Sequence, residues 1–365
     1  MNILLINRQL QPEISGIATH FDNIAKTLLA LGHEVTRVVA KDPSFVPENN
    51  QINYYYFSFI EKRSCLTASA KTKRKDKNHA SLKKTLARVP WRKIDAVIAS
   101  NDIYLPFLKG RISSSKVISI IPSSLAFSSA SNPLNYKKVT RRMQKNLLDV
   151  KAVVLSKKMR TMLATALGKN YSISTIYPGV WLDRFSTKDK KRLPHSLLYV
   201  GRLDREKNTE ALIRAVALLR NNFSLDIIGA GDKLNFLKKL TKELAIEKNV
   251  FFRGRKKRVE KYYSQSQIFI LPSRFEAFGL VLLEAMAAGL PIIAFRPSST
   301  FITASDEIID NASDGFLVDN IPGMAQRIDL LLENNQLREK MSQAARKKAE
   351  AFTWENHVKK LLTLL

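Results

Sequence analysis

Short apolar runs alternate with amphipathic stretches along the whole chain. In the first half the runs at 2–7, 33–39, 53–59, 96–100, 117–121, 152–155 and 172–176 read as strands. A helix is expected over 19–31 and stops at Gly32, after a loop containing Pro12, Ser15 and Gly16. In the second half the runs at 197–200, 225–228, 250–253, 268–272, 292–295 and 315–318 recur with helical stretches between them. Such alternation predicts parallel sheets with helices on both faces, hence two doubly wound α/β domains. The basic, polar stretch 184–195 reads as a linker. It separates an N-terminal domain, 1–183, from a C-terminal domain, 196–351, and a terminal helix over 352–365 closes the chain.

With 365 residues, 45% of them hydrophobic, the chain can build two real cores. It has one cysteine, Cys65, which excludes an internal disulfide framework and suits a reducing cytoplasm. The N-terminal apolar run is too short for a signal peptide and lacks a basic segment before it. Charge changes the picture more. The formal net charge is +28, and residues 1–183 hold 29 Lys and Arg against 11 Asp and Glu. Two clusters stand out. One runs through Lys71, Lys73, Arg74, Lys75 and Lys77 and on to Lys93; the other comprises Lys137, Lys138, Arg141, Arg142 and Lys145, with the last four of these expected on one helix face. Such patches attract polyanions, and an anionic membrane surface is the expected partner, with nucleic acid disfavoured. The expected location is therefore cytoplasmic, peripheral on the inner face of the plasma membrane.

The chemistry concentrates in the stretch 273–289, SRFEAFGLVLLEAMAAG. Glu276 precedes a very apolar helix and Glu284 lies within it. A helix start carries unpartnered N–H groups and partial positive charge, so it attracts anions. Gly279 allows close approach to the backbone. From Phe278 to Glu284 the helix would rise roughly 9 Å, a span that suits a ligand with a central diphosphate and hydroxyls at both ends, such as a nucleotide-sugar. Glu284, among Leu280, Val281, Leu283 and Met286, needs either a protein cation or ligand hydroxyls as partners.

These residues, with Ala285-Met286-Ala287-Ala288-Gly289-Leu290-Pro291, resemble the signature of the family 4 retaining glycosyltransferases. Tyr199-Val200-Gly201-Arg202-Leu203, Glu206-Lys207-Asn208, Ile227-Ile228-Gly229-Ala230-Gly231, Val250-Phe251-Phe252-Arg253-Gly254 and Ile176-Tyr177-Pro178-Gly179-Val180 are similar to that family's other segments, in the same order. The resemblance implies an α/β fold of the GT-B type, two Rossmann-like doubly wound domains facing a central cleft. It also implies that the last helix crosses back to the first domain.

The resemblance further implies a retaining enzyme that moves a sugar from a nucleotide-sugar donor to a saccharide or lipid-linked acceptor, in bacterial surface polysaccharide or lipopolysaccharide assembly. Glu276 would contact the donor sugar, Glu284 the ribose, and the backbone of Phe278, Gly279 and Leu280 the diphosphate. Arg202 and Lys207 would neutralise the leaving diphosphate, and Gly16 would rim the site. No metal is expected, because no aspartate pair is placed to chelate one and fixed cations can replace it. No cofactor beyond the nucleotide-sugar co-substrate is implied. The chain departs from the pattern after Ile121, where Pro122-Ser123-Ser124 follows and the family's usual histidine is missing. His20 is expected on a helix surface. The competing reading is a non-catalytic basic protein of the same fold that binds nucleic acid or membrane.

Overall fold

A computed structural model describes residues 1–8, 16–40, 50–58, 68–122, 133–185 and 192–365. The chain divides into two compact units. The first comprises Met1–Leu155, Arg160–Ile176 and His357–Leu365; the second comprises Ser156–Met159 and Tyr177–Asn356. The second unit's main segment begins at Tyr177, residues 186–191 of the expected linker lie outside the described residues, and the end of the terminal helix Trp354–Leu362 groups with the first unit.

Among the described residues the first unit is built on seven parallel strands: β1 (Asn2–Asn7), β2 (Glu34–Ala40), β3 (Ile52–Phe57), β4 (Ala96–Ser100), β5 (Val117–Ile121), β6 (Lys151–Val154) and β7 (Ile173–Thr175), in the order β3-β2-β1-β4-β5-β6-β7. Strands β1, β4 and β5 are almost wholly buried, which is why they read as continuous apolar runs rather than alternating ones. The helix Gly16–Ala30 turns Phe21, Ile24 and Leu28 inward at helical spacing.

The second unit holds six parallel strands: β8 (Ser196–Val200), β9 (Ser224–Ile228), β10 (Val250–Gly254), β11 (Ile268–Leu271), β13 (Ile292–Phe295) and β15 (Gly315–Val318). Their order is β10-β9-β8-β11-β13-β15, and a separate pair joins β12 (Phe275–Glu276) to β14 (Ile302–Thr303). Leu197, Tyr199, Leu212, Ile227, Ile270, Phe295 and Ile328 share its core. The chain reverses its direction of winding between β8 and β11. Doubly wound sheets bind ligands at such a point, beyond the carboxyl ends of the strands. Arg202 and Lys207 follow β8, and Glu276 follows β11.

Candidate functional site

The site grows from the loops that leave β8 and β11. The loop after β8 is tied to the loop after β11 by the backbone: the N–H groups of Arg274 and Phe275 donate to Glu206 O at 2.8 and 3.3 Å. Asn208, in a left-handed conformation at φ 52°, donates its side-chain amide to Pro272 O at 3.0 Å. The turn after β9 packs directly beneath: a Cβ on Gly229 would lie 1.8 Å from Gly201 O, so only glycine fits. These ties bring residues about 70 positions apart into one constellation.

Lys207 forms an ion pair with Glu276, both side chains being mostly enclosed. Arg202 pairs with Asp204 at 2.6 Å and Glu206 at 3.2 Å, its own side chain 58% exposed. In this structure, therefore, carboxylates hold both cations. The sequence showed the cations and Glu276 but not that Asp204, Glu206 and Glu276 would be their partners.

Glu276 belongs to β12, whose pairing with β14 sets Phe275 beside Ile302 and Glu276 beside Thr303. It thus lies on a two-residue strand. Gly279 follows at φ 88°, a conformation that side-chain-bearing residues rarely adopt. It opens the helix Leu280–Ala287. Among the described residues the N–H groups of Phe278, Gly279 and Leu280 meet no acceptor. Three adjacent donors at a helix start form an anion-binding concavity.

Glu284 sits on that helix among buried Leu282, Leu283, Ala285 and Met286. Its partner is a neutral donor rather than the cation considered from sequence: the Tyr263 hydroxyl, 2.9 Å from Oε2. Burial raises the Glu284 carboxyl above its ordinary range, and the Tyr263 hydrogen bond and the charge of Arg184 oppose that shift. Arg184 is paired with Glu260. Tyr263 comes from the short helix Glu260–Gln265, and no sequence signal singled it out.

Seven of the eight expected site residues, Arg202, Lys207, Glu276, Phe278, Gly279, Leu280 and Glu284, belong to the second unit; Gly16 belongs to the first, where it opens the helix Gly16–Ala30. Among the described residues none lies within 4 Å of where a Gly16 Cβ would be. Residues 123–132, where the missing histidine was considered, lie outside the described residues. Among the described residues no cluster of three His, Cys, Asp or Glu side chains is placed to hold a metal ion. No described helix is long and apolar enough to cross a membrane.

Two parallel doubly wound sheets of seven and six strands are the GT-B architecture, and solved structures of that architecture superpose on this chain. WaaG, described as a glycosyltransferase involved in lipopolysaccharide biosynthesis, matches with a TM-score of 0.76 over 98% of each chain at 19% identity. Anabaena HepE in complex with UDP matches with a TM-score of 0.81 over 100% of each chain at 17% identity. Residues 183–348 match the model of the family described as glycosyl transferases group 1. A Campylobacter jejuni relative is 34% identical over 173 residues, covering 47% of this chain and 45% of its own; it is named as an N-acetylgalactosaminyltransferase acting on an N-acetylgalactosamine-N,N'-diacetylbacillosaminyl-diphospho-undecaprenol. The chain spans about half the length of the curated relatives it matches.

Proposed function

We propose that this protein is a retaining glycosyltransferase of the family 4 kind. It moves a sugar from a nucleotide-sugar to a saccharide or lipid-linked acceptor, in the assembly of a bacterial surface polysaccharide or lipopolysaccharide. The observation that carries this reading is the placement of the Lys207–Glu276 pair beside the unpartnered N–H groups of Phe278, Gly279 and Leu280. A diphosphate seated on those N–H groups draws Lys207 toward its charge and frees Glu276 for the donor sugar hydroxyls. Arg202 supplies the second cation and Glu284 accepts from the ribose.

In the reaction the bond between the anomeric carbon and the diphosphate oxygen breaks, and the electron pair leaves with the nucleoside diphosphate. Fixed N–H groups and cations stabilise charge that develops only as that bond opens, which lowers the barrier rather than merely tightening binding. Retention requires the acceptor oxygen to attack from the leaving-group face, and its proton passes to the departing diphosphate. No metal is needed where Arg202, Lys207 and a helix start share the charge. The relatives' names support this reading: HepE binds UDP and the Campylobacter jejuni enzyme acts on a diphospho-undecaprenol-linked saccharide.

The membrane part of the reading rests on exposed charge. Lys77, Lys83, Lys84, Lys138, Arg141 and Lys145 of the first unit are exposed, as salt-reversible binding to an anionic surface needs. A non-catalytic basic protein of the same fold is disfavoured, because decay would not preserve Glu276, Glu284, Lys207 and Arg202 together.

The deciding experiment screens UDP-, GDP- and ADP-sugars for thermal stabilisation and slow donor hydrolysis. Stabilisation by one series, with release of its nucleoside diphosphate, is expected. No response to any donor would overturn the reading.

A further inference from the structure

Among the three unpartnered N–H groups, the aim of the first, that of Phe278, is set by the peptide between Ala277 and Phe278. A trans peptide is planar, with its C=O and N–H pointing opposite ways. Whatever holds the Ala277 carbonyl therefore aims the Phe278 N–H. That holder is Ser156. Its wholly buried hydroxyl donates to Ala277 O at 2.7 Å and accepts from Met159 N at 3.2 Å. Accepting from an N–H polarises the hydroxyl and strengthens its donation.

The same turn grips a second point. Glu307, just beyond β14, accepts the N–H groups of Lys157 at 2.7 Å and Lys158 at 2.6 Å, and the Tyr177 hydroxyl at 2.9 Å. Tyr177 in turn packs its ring 5.7 Å from that of Phe278. Both strands of the parallel β12–β14 pair are thus held beyond their carboxyl ends, β12 at Ala277 and β14 at Glu307, by the turn Ser156–Met159. That turn groups with the second unit although the chain on either side of it groups with the first.

We propose that Ser156 is a positioning residue for the donor diphosphate: through the Ala277 carbonyl it aims the Phe278 N–H group, with Glu307 bracing the neighbouring strand. This rests on the nucleotide-sugar reading above. A hydroxyl that only stabilised the fold would lower stability and leave recognition of the phosphates in step with recognition of the rest of the ligand. A positioning hydroxyl would weaken the hold on phosphate selectively.

The test is calorimetric binding of UDP, GDP and ADP, each beside its own nucleoside, to the full chain, with donor turnover measured in parallel. Wild type is expected to bind one nucleoside diphosphate; binding of none overturns the site reading and this inference with it. Given wild-type binding, Ser156→Ala is expected to lose about tenfold in nucleoside diphosphate affinity, the scale of one hydrogen bond. Its nucleoside affinity should be unchanged, its turnover lower, and Ser156→Thr should restore both. Equal diphosphate affinity in Ser156→Ala and wild type, or a parallel loss for diphosphate and nucleoside, overturns the inference while leaving the site reading intact. Should Ser156→Ala fail to fold, Glu307→Gln carries the same comparison. Its amide can accept from one but not both of the Lys157 and Lys158 N–H groups while also taking the Tyr177 hydroxyl, so a smaller loss confined to the diphosphate is expected and no selective loss refutes.

Discussion

The Nε2 atoms of His20 and His357 lie 2.9 Å apart, with both side chains buried. Residues 337 positions apart thereby meet within the first unit, one on the helix Gly16–Ala30 and the other on Trp354–Leu362. One ring must donate and the other accept, so the contact suits two neutral imidazoles of opposite tautomer. His20 is not the surface histidine expected from the sequence. Burial, and then the neighbouring His357, lower its pKa well below the ordinary value.

A group that resists protonation when folded contributes stability above its unfolded pKa, which is lost as pH falls through the folded one. Thermal stability is therefore expected to decline on acidification from about pH 6.5, and His20→Gln should flatten that decline. Melting curves between pH 8 and pH 5 check this. An identical pH slope in the variant would exclude the histidine pair as its source.

Glu276 and Glu284 are expected to fail differently. Glu284→Ala should weaken nucleotide-sugar binding, whereas Glu276→Ala should lower turnover more than nucleoside diphosphate affinity. The Glu284 pKa is raised by burial. Its contribution to stability is thus fully present below the unfolded carboxylate range and is lost as pH rises through the folded value. At neutral pH Glu284→Gln should consequently melt higher than wild type while binding nucleotide less well. In wild type, affinity should drop on acidification as this carboxylate becomes protonated and loses acceptor strength. Titrations at several pH values separate the two effects; wild-type turnover in both alanine variants would remove the carboxylates from the site.

Arg202→Ala and Lys207→Ala should each slow transfer by roughly 10²–10³-fold, the cost of one charge-stabilising donor. Only Lys207→Ala should also lower stability, because it strands the mostly enclosed Glu276, whereas Arg202 is exposed beside two carboxylates. Activity should persist in a strong chelator. Loss with EDTA and recovery with Mg²⁺ would sink the metal-free mechanism.

Strands β8, β11, β13 and β15 of the second unit were legible because they are almost wholly buried and read as apolar runs, whereas β10 alternates between exposed and more buried positions. Expected and observed limits of β13 and β15 coincide, and β8 differs by one residue. The pair β12–β14 was not legible: two-residue strands leave no periodicity. The partners of the site residues were hidden for a different reason. Tyr263 on Glu284, Ser156 on Ala277 and Glu307 on the 157–158 backbone are contacts across 21, 121 and about 150 positions. Sequence offers only a weak hint for one of them, a serine three residues ahead of the N–H it caps at the start of Lys157–Leu167.

The basic helix Pro133–Leu147 shows why counting charges misleads. Five cations were assigned to one patch, yet Arg142 is already committed. It holds the buried Asp102 with two bonds, Nε to Oδ2 at 2.8 Å and Nη2 to Oδ1 at 2.9 Å, and Asn146 adds a third at 3.0 Å. Lys137, Lys138, Arg141 and Lys145 remain exposed. Arg142→Ala should therefore destabilise the first unit by about 2 kcal/mol or more, because it leaves a buried carboxylate short of its cation. Replacing Lys138, Arg141 and Lys145 with glutamine should leave stability nearly unchanged but weaken binding to vesicles containing anionic lipid. Each such charge is worth about 1 kcal/mol near the surface, and salt screens it. Co-sedimentation with anionic and neutral vesicles at low and high salt, beside melting curves, distinguishes the two sets. Vesicle binding that ignores lipid charge, or that survives the triple replacement together with neutralisation of Lys71, Lys73, Arg74, Lys75 and Lys77, would remove the membrane from the proposed function. Equally tight binding to nucleic acid at matched salt would show the patch to be a general polyanion surface.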